Sequence, residues 1–69
     1  MKLREARKAA GLSIAQVAEE MGVSRTAIWL WETGKGTPLI GNLRKLANLY
    51  GVSAGELLGE EEDNAKGSS

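Results

Sequence analysis

Only Gly22 and Val23 separate one short amphipathic segment from the next, and this spacing restricts the possible folds of the chain more than any other feature. The segment that follows, Ser24-Arg25-Thr26-Ala27-Ile28-Trp29-Leu30-Trp31-Glu32-Thr33, is marked at both ends. Ser24 is an N-cap type of residue, and Gly34 suits the left-handed position just past a helix. Positions 24 to 33 contain neither Gly nor Pro, which predicts about two and a half turns of helix. On a 3.6-residue wheel Ala27, Ile28 and Trp31 share one side with Glu32 at its border, while Arg25, Thr26, Trp29, Leu30 and Thr33 fall on the other. One face packs and the other is free for contact, so the functional surface is expected on the second.

The segment before the turn has the same bounded character. Ser13 is an N-cap candidate with Gln16 three positions on, the capping-box arrangement, and a helix is predicted from Ser13 to Met21. Its apolar stripe is Ile14, Val17, Ala18 and Met21, with Gln16, Glu19 and Glu20 facing water. Gly22 closes it. Two short helices joined by so tight a turn are the sequence form of a helix-turn-helix.

Three further helices complete the chain. The first spans residues 2 to 10, with Leu3, Ala6, Arg7 and Ala10 on one stripe and Gly11 to end it. The fourth runs from Leu39 to Tyr50, with Pro38 suited to its first turn and Ile40, Leu43, Leu46, Ala47 and Tyr50 facing inward. Ser53 caps a fifth through Leu58. The expected fold is all-α, a compact five-helix domain over residues 1–59, followed by an acidic segment, 60–69, that lacks any apolar face to bury and is expected to be disordered.

Arg7 lies on the inward stripe of the first helix, where an unpaired charge would be costly. Either it snorkels outward, or it pairs with Glu32, which lies at the border of its own packing face and offers a bidentate acceptor.

Composition excludes much of catalysis. Without Cys or His there are no disulfides, no Cys/His zinc site, no Ser-His-Asp triad and no His general base, so neither an enzyme nor a cofactor or metal site is expected. No apolar run approaches the roughly 20 residues of a membrane span, and a soluble, intracellular protein is expected. The neutral overall charge conceals an asymmetry: residues 1–59 hold eight Lys and Arg against five Glu, a balance of +3, while Glu60, Glu61, Glu62 and Asp63 concentrate acid beyond them. A mildly basic folded part suits a polyanion without by itself indicating one.

The ordered set Leu3-Arg4-x-x-Arg7, Gly11-Leu12-Ser13, Val17-Ala18-Glu19-x-Met21-Gly22-Val23-Ser24-Arg25, Ile28-x-x-Trp31-Glu32-x-Gly34-Lys35, Pro38, Leu43-x-x-Leu46-Ala47 and Gly51-Val52-Ser53-x-x-Glu56-Leu57 resembles the Cro/C1-type helix-turn-helix DNA-binding domains of phage repressors and bacterial regulators. No single piece is specific, but the set spans residues 3 to 58. The resemblance implies a lambda-repressor-like fold, a cytoplasmic location, and an ion pair between Arg7 and Glu32. It also implies that Ser24 to Thr33 is the recognition helix of a sequence-specific transcriptional regulator.

Carried onto this sequence, the resemblance implies base contacts from Arg25, Thr26, Trp29 and Leu30 and phosphate contacts from Ser13, Ser24, Lys35 and Thr37. Arg25 suits a guanine edge or a phosphate equally, and Leu30 and the Thr26 methyl suit thymine methyls. Ser13 and Ser24 are N-caps in either case. Ile14 stands where many members of the family carry Gln, and core packing is expected of it. Trp29 departs from the small or polar residue common in the family. Beside Leu30 it makes an apolar patch that can pack on DNA sugars or bases, and the alternative it leaves is a helix-turn-helix scaffold used as a protein-interaction module. Double-stranded DNA is the expected partner, bound by a homodimer whose contacts fall around Val52, Leu57 and Leu58, because Leu57 and Leu58 cannot both point into so small a core.

Overall fold

Ser13, Ser24 and Ser53 each stand in extended backbone ahead of a helix and accept the amide of the residue three further on, so helices begin where these hydroxyls fall. The resulting order is α1 (Leu3–Ala9), α2 (Ile14–Met21), α3 (Arg25–Thr33), α4 (Ile40–Tyr50) and α5 (Ala54–Leu58). The structure, a computed structural model, describes residues 1–59, and no strand occurs among them. The acidic segment 60–69, for which disorder is expected, lies outside the described residues.

Each helix gives at least one side chain to a single core. Leu3, Val17, Ile28, Leu46 and Leu57 are at most 2% exposed, one from each helix in turn. Helix α2 packs on α3 and α4, α1 reaches both α3 and α4, and α5 lies on α4. The amide of Lys2 donates to the Leu57 carbonyl at 2.7 Å, which ties the start of the chain to α5.

Four details depart from the periodicity. Leu57, expected among the dimer contacts, is 1% exposed and belongs to the core, so its side chain does not reach a second copy. Of the pair that could not both turn inward, Leu58 is the one left at the surface, 38% exposed. Ile40, expected on the inward stripe of α4, is 61% exposed. It is the first helical residue, and because Cα–Cβ bonds tilt toward a helix N-terminus its side chain projects past the end of the core. Pro38 is buried but precedes the helix; Leu39 is in extended backbone (φ −64°, ψ 158°), so the helical run starts at Ile40. Ala10 is exposed because α1 ends at Ala9 and leaves it in the cap.

Arg7 does not snorkel. Its Nε donates to Glu32 Oε2 at 2.6 Å, its Nη2 to Glu32 Oε1 at 3.1 Å and its Nη1 to the Leu12 carbonyl at 2.9 Å. The two side chains are only 10% and 5% exposed, and the Glu32 contact holds the Arg7 pKa above its ordinary value against the opposing effect of burial. One guanidinium therefore joins α1, the turn after it and the far end of α3. Tyr50 lies close enough to feel the same charges: burial, then the Glu32 carboxylate, push its phenol from 10.0 up to about 12, with Arg7 opposing.

Removing either partner of this pair leaves a buried charge uncompensated. Arg7→Met or Glu32→Gln is expected to lower the unfolding free energy by about 3–5 kcal/mol in a urea titration, whereas a loss below about 1 kcal/mol would be the behaviour of an exposed pair. Tyr50 holds its proton more tightly folded than unfolded, so its contribution is complete below pH 10 and lost as pH rises through about 12. The difference in unfolding free energy between wild type and Tyr50→Phe is therefore expected to stay constant up to about pH 10 and to change only above it.

Candidate nucleic-acid interface

The turn between α2 and α3 owes its tightness to Gly22, whose φ of 69° is in the left-handed region that residues with a Cβ rarely enter. From there the Val23 amide returns to the Ala18 carbonyl at 3.0 Å, and the half-buried Val23 side chain packs on the core. This double closure is a Schellman turn with its apolar contact, and it sets the direction in which α3 leaves α2. At the other end Gly34, with φ 80°, stops α3 and sends Lys35 and Gly36 back so that both amides donate to the Leu30 carbonyl, at 3.0 and 3.1 Å.

Across α3 the division between faces holds. Ile28 is buried, Ala27 is partly buried, Trp31 is partly buried against the core, and Glu32 is held by Arg7. Arg25, Thr26, Trp29 and Thr33 are exposed. Leu30 is half-buried, because Gly36 packs against it; a Cβ built at Gly36 would stand 3.4 Å from Leu30 Cβ. The Thr33 hydroxyl is turned back onto its own helix, donating to the Trp29 and Leu30 carbonyls at 3.0 and 3.2 Å.

The starts of α2 and α3 are both capped by a serine. Ser24 Oγ accepts the Ala27 amide at 3.1 Å, which leaves the amides of Arg25 and Thr26 without a carbonyl inside the helix. Ser13 and Gln16 form a reciprocal capping box, with bonds of 3.0 and 2.8 Å, at the start of α2. In each case the serine oxygen is used as an acceptor and its proton remains to donate. Neither α2 nor α3 carries an acidic side chain in its first turn, so the positive ends of both helices are uncompensated. By contrast α1 and α5 carry Glu5 and Glu56 there.

Two features of this surface are not evident from periodicity. Arg4 is exposed and lines a groove with Arg7, Ile14, Trp29, Glu32 and Thr33 beside α3. Its sequence signals are its place in the Leu3-Arg4-x-x-Arg7 run and its position one helical turn before Arg7, on the same side of α1. The second is that Lys35 Nζ lies over the Trp29 ring, 5.1 Å from its centroid. Thr37 is exposed in the following loop. Val52 and Leu58 stand well away in the chain, on the α5 side, where Val52, Lys2, Glu5, Ala6, Ala9, Glu56 and Leu57 line a shallow apolar groove. Among the described residues no acidic cluster suits a metal ion, and no helix is long and apolar enough to cross a membrane.

Comparison with known proteins matches a helix-turn-helix family model to residues 3–57 of the chain. The transcriptional activator BcrR of Enterococcus faecalis is 43% identical over 61 residues, which cover 88% of this chain and 30% of that protein. The transcriptional repressor RstR of the cryptic phage CTXphi, from Vibrio cholerae, is 40% identical over 58 residues, covering 84% of this chain and 52% of that protein. The regulator ImmR of Bacillus subtilis is 35% identical over 65 residues, 94% of this chain and 51% of that protein. The chain thus spans about half the length of these relatives or less. No solved structure matches it at a comparable level. A family match over nearly all of the described residues, on a chain whose second and third helices meet through a glycine turn, places this protein in the Cro/C1-type helix-turn-helix family.

Proposed function

We propose that this chain is the sequence-specific DNA-binding unit of a transcriptional regulator and acts by setting α3 into the major groove. The observation that carries this reading is the start of α3: a capped helix end with no acidic side chain near it, with Arg25 and Thr26 exposed and the opposite face locked by Arg7 and the core. A major groove admits one helix whose outer side chains meet base edges, and free amides at a helix start favour a phosphate. The names of the relatives, which are an activator, a repressor and a regulator, favour DNA over a scaffold used only for protein contacts.

In this reading Arg25 takes the two acceptors of a guanine edge, and the methyl of Thr26 with the accessible part of Leu30 meets thymine methyls. Ser13 and Ser24 donate their hydroxyl protons to phosphates flanking the groove. Lys35 and Thr37 hold the backbone beyond the end of α3, and Arg4 adds a cation beside the start of α2. The protein does no chemistry on DNA and works in the cytoplasm, on bacterial or phage operators. One such domain buries little surface on DNA, so a homodimer reading two half-sites about 34 Å apart supplies the affinity, with Leu58 and Val52 facing the second copy.

Selection from random duplexes is expected to return a consensus; no enrichment over bulk DNA at low salt would sink the reading. On the selected site Arg25→Ala is expected to cost about 1–3 kcal/mol and to relax the preference at one position. Lys35→Ala is expected to weaken every sequence alike and to lower the salt slope of binding by about one. Light scattering of the protein–DNA complex reads the dimer directly: one copy per palindromic site would overturn that part of the proposal.

A further inference from the structure

Trp29 is the residue of α3 that neither the core nor the groove explains. It is 44% exposed, the largest apolar side chain on the outer face, and its ring is occupied on one side by a cation. That cation sits on a backbone with little freedom. Lys35 and Gly36 both donate to the Leu30 carbonyl, and Gly36 packs on Leu30 and Trp31, so the Lys35 backbone is anchored to the end of α3. The helix end that carries Trp29 is held as well, by the Thr33 hydroxyl on the Trp29 carbonyl and by Glu32 on Arg7.

We propose that Trp29 is a positioning residue: its indole face seats the Lys35 ammonium in the free protein and so pre-orders the cation that meets a DNA phosphate, and Trp29 does not itself read a base. The proposal rests on the DNA reading above. An ammonium has three donors and the ring face engages one side of it, which leaves donors free for phosphate oxygens. An unseated lysine is a flexible four-carbon stem that must be ordered when it binds. Seating it beforehand removes part of that ordering and raises affinity for any sequence. A contact present both free and bound adds nothing to affinity by itself; what it saves is part of the ordering of one long side chain, an effect of roughly two- to fivefold in affinity. The charge reaching the phosphate is the same whether the lysine is seated or not, so the number of counterions released does not depend on Trp29.

Three measurements test this, with Trp29→Phe as the conservative variant and far-UV circular dichroism to establish that each variant folds. In the free protein the Lys35 Hε protons are expected to be shifted upfield by the indole ring current, strongly in wild type, partly in Trp29→Phe and not at all in Trp29→Leu. On the selected duplex Trp29→Leu is expected to weaken binding roughly two- to fivefold on all sequences, with the consensus and the salt slope unchanged, while Trp29→Phe stays close to wild type. In a Lys35→Ala background Trp29→Leu is expected to have no further effect. A changed base preference in Trp29→Leu, or additive losses in the double variant, overturns the positioning role and leaves DNA binding standing. If wild type shows the ring-current shift yet enriches no duplex, the DNA reading fails and the phosphate role of the pair falls with it.

Discussion

The bidentate contact between Arg7 and Glu32 is the constraint on which the rest of the structure depends. The helices it joins are short, and none of them would be stable alone in water. Close packing holds α2 against α3, but the far end of α3 and the turn after α1 meet chiefly through one guanidinium, bonded to Glu32 and to the Leu12 carbonyl. Because both side chains are nearly buried, the pair acts as a geometric latch: its charges are tolerable only when the two helices stand at one spacing. Orientation of α3 relative to the domain, which decides what its outer face can meet, follows from that latch at one end and from the Gly22 turn at the other.

Electrostatics at the candidate interface comes less from side-chain charge than from backbone geometry. A balance of +3 over residues 1–59 is a weak attraction for a polyanion. The starts of α2 and α3, however, both lack acidic side chains, and both present a serine hydroxyl with its oxygen already committed to the helix. Oriented N–H groups and hydroxyl protons at these two helix starts give a positive potential with fixed direction. Arg4 adds charge beside the start of α2 and Arg25 at the start of α3, while Lys35 adds it beyond the opposite end of α3.

Much of the fold was legible in the residues because its signals are local. The serine caps, the terminal glycines and the 3.6-residue stripes each depend on neighbours within one turn, and the structure starts and stops α2, α3 and α5 where Ser13, Ser24, Ser53, Gly22, Gly34 and Gly59 stand. Legibility failed at the ends of elements and at the edge of the core. Periodicity assigned Ile40 to the interior because the wheel has no ends, whereas a first-turn side chain points past them. It left Leu57 and Leu58 undecided because both are leucines on one short helix, and only the position of α4 selects Leu57. The site shows the same split. Arg25 and Thr26 were placed outward by the wheel and are exposed. Leu30 was placed outward and is half covered, since the loop that folds over it is governed by the left-handed turn at Gly34.

By itself the sequence determined the all-α class, the two tightly linked helices and the face of α3 that stays in water, because caps, turn glycines and apolar spacing act over a few residues. Helical spacing limited Arg7 to two fates, and the family resemblance carried by the residues pointed to the pair with Glu32. Only the tertiary structure gave the geometry by which Arg7 meets Glu32, 25 residues away, and decided that Tyr50 lies within reach of their charges and that Lys35 rests on Trp29. Those contacts join segments whose distance in space is fixed by packing of the whole core, and no local pattern carries that distance.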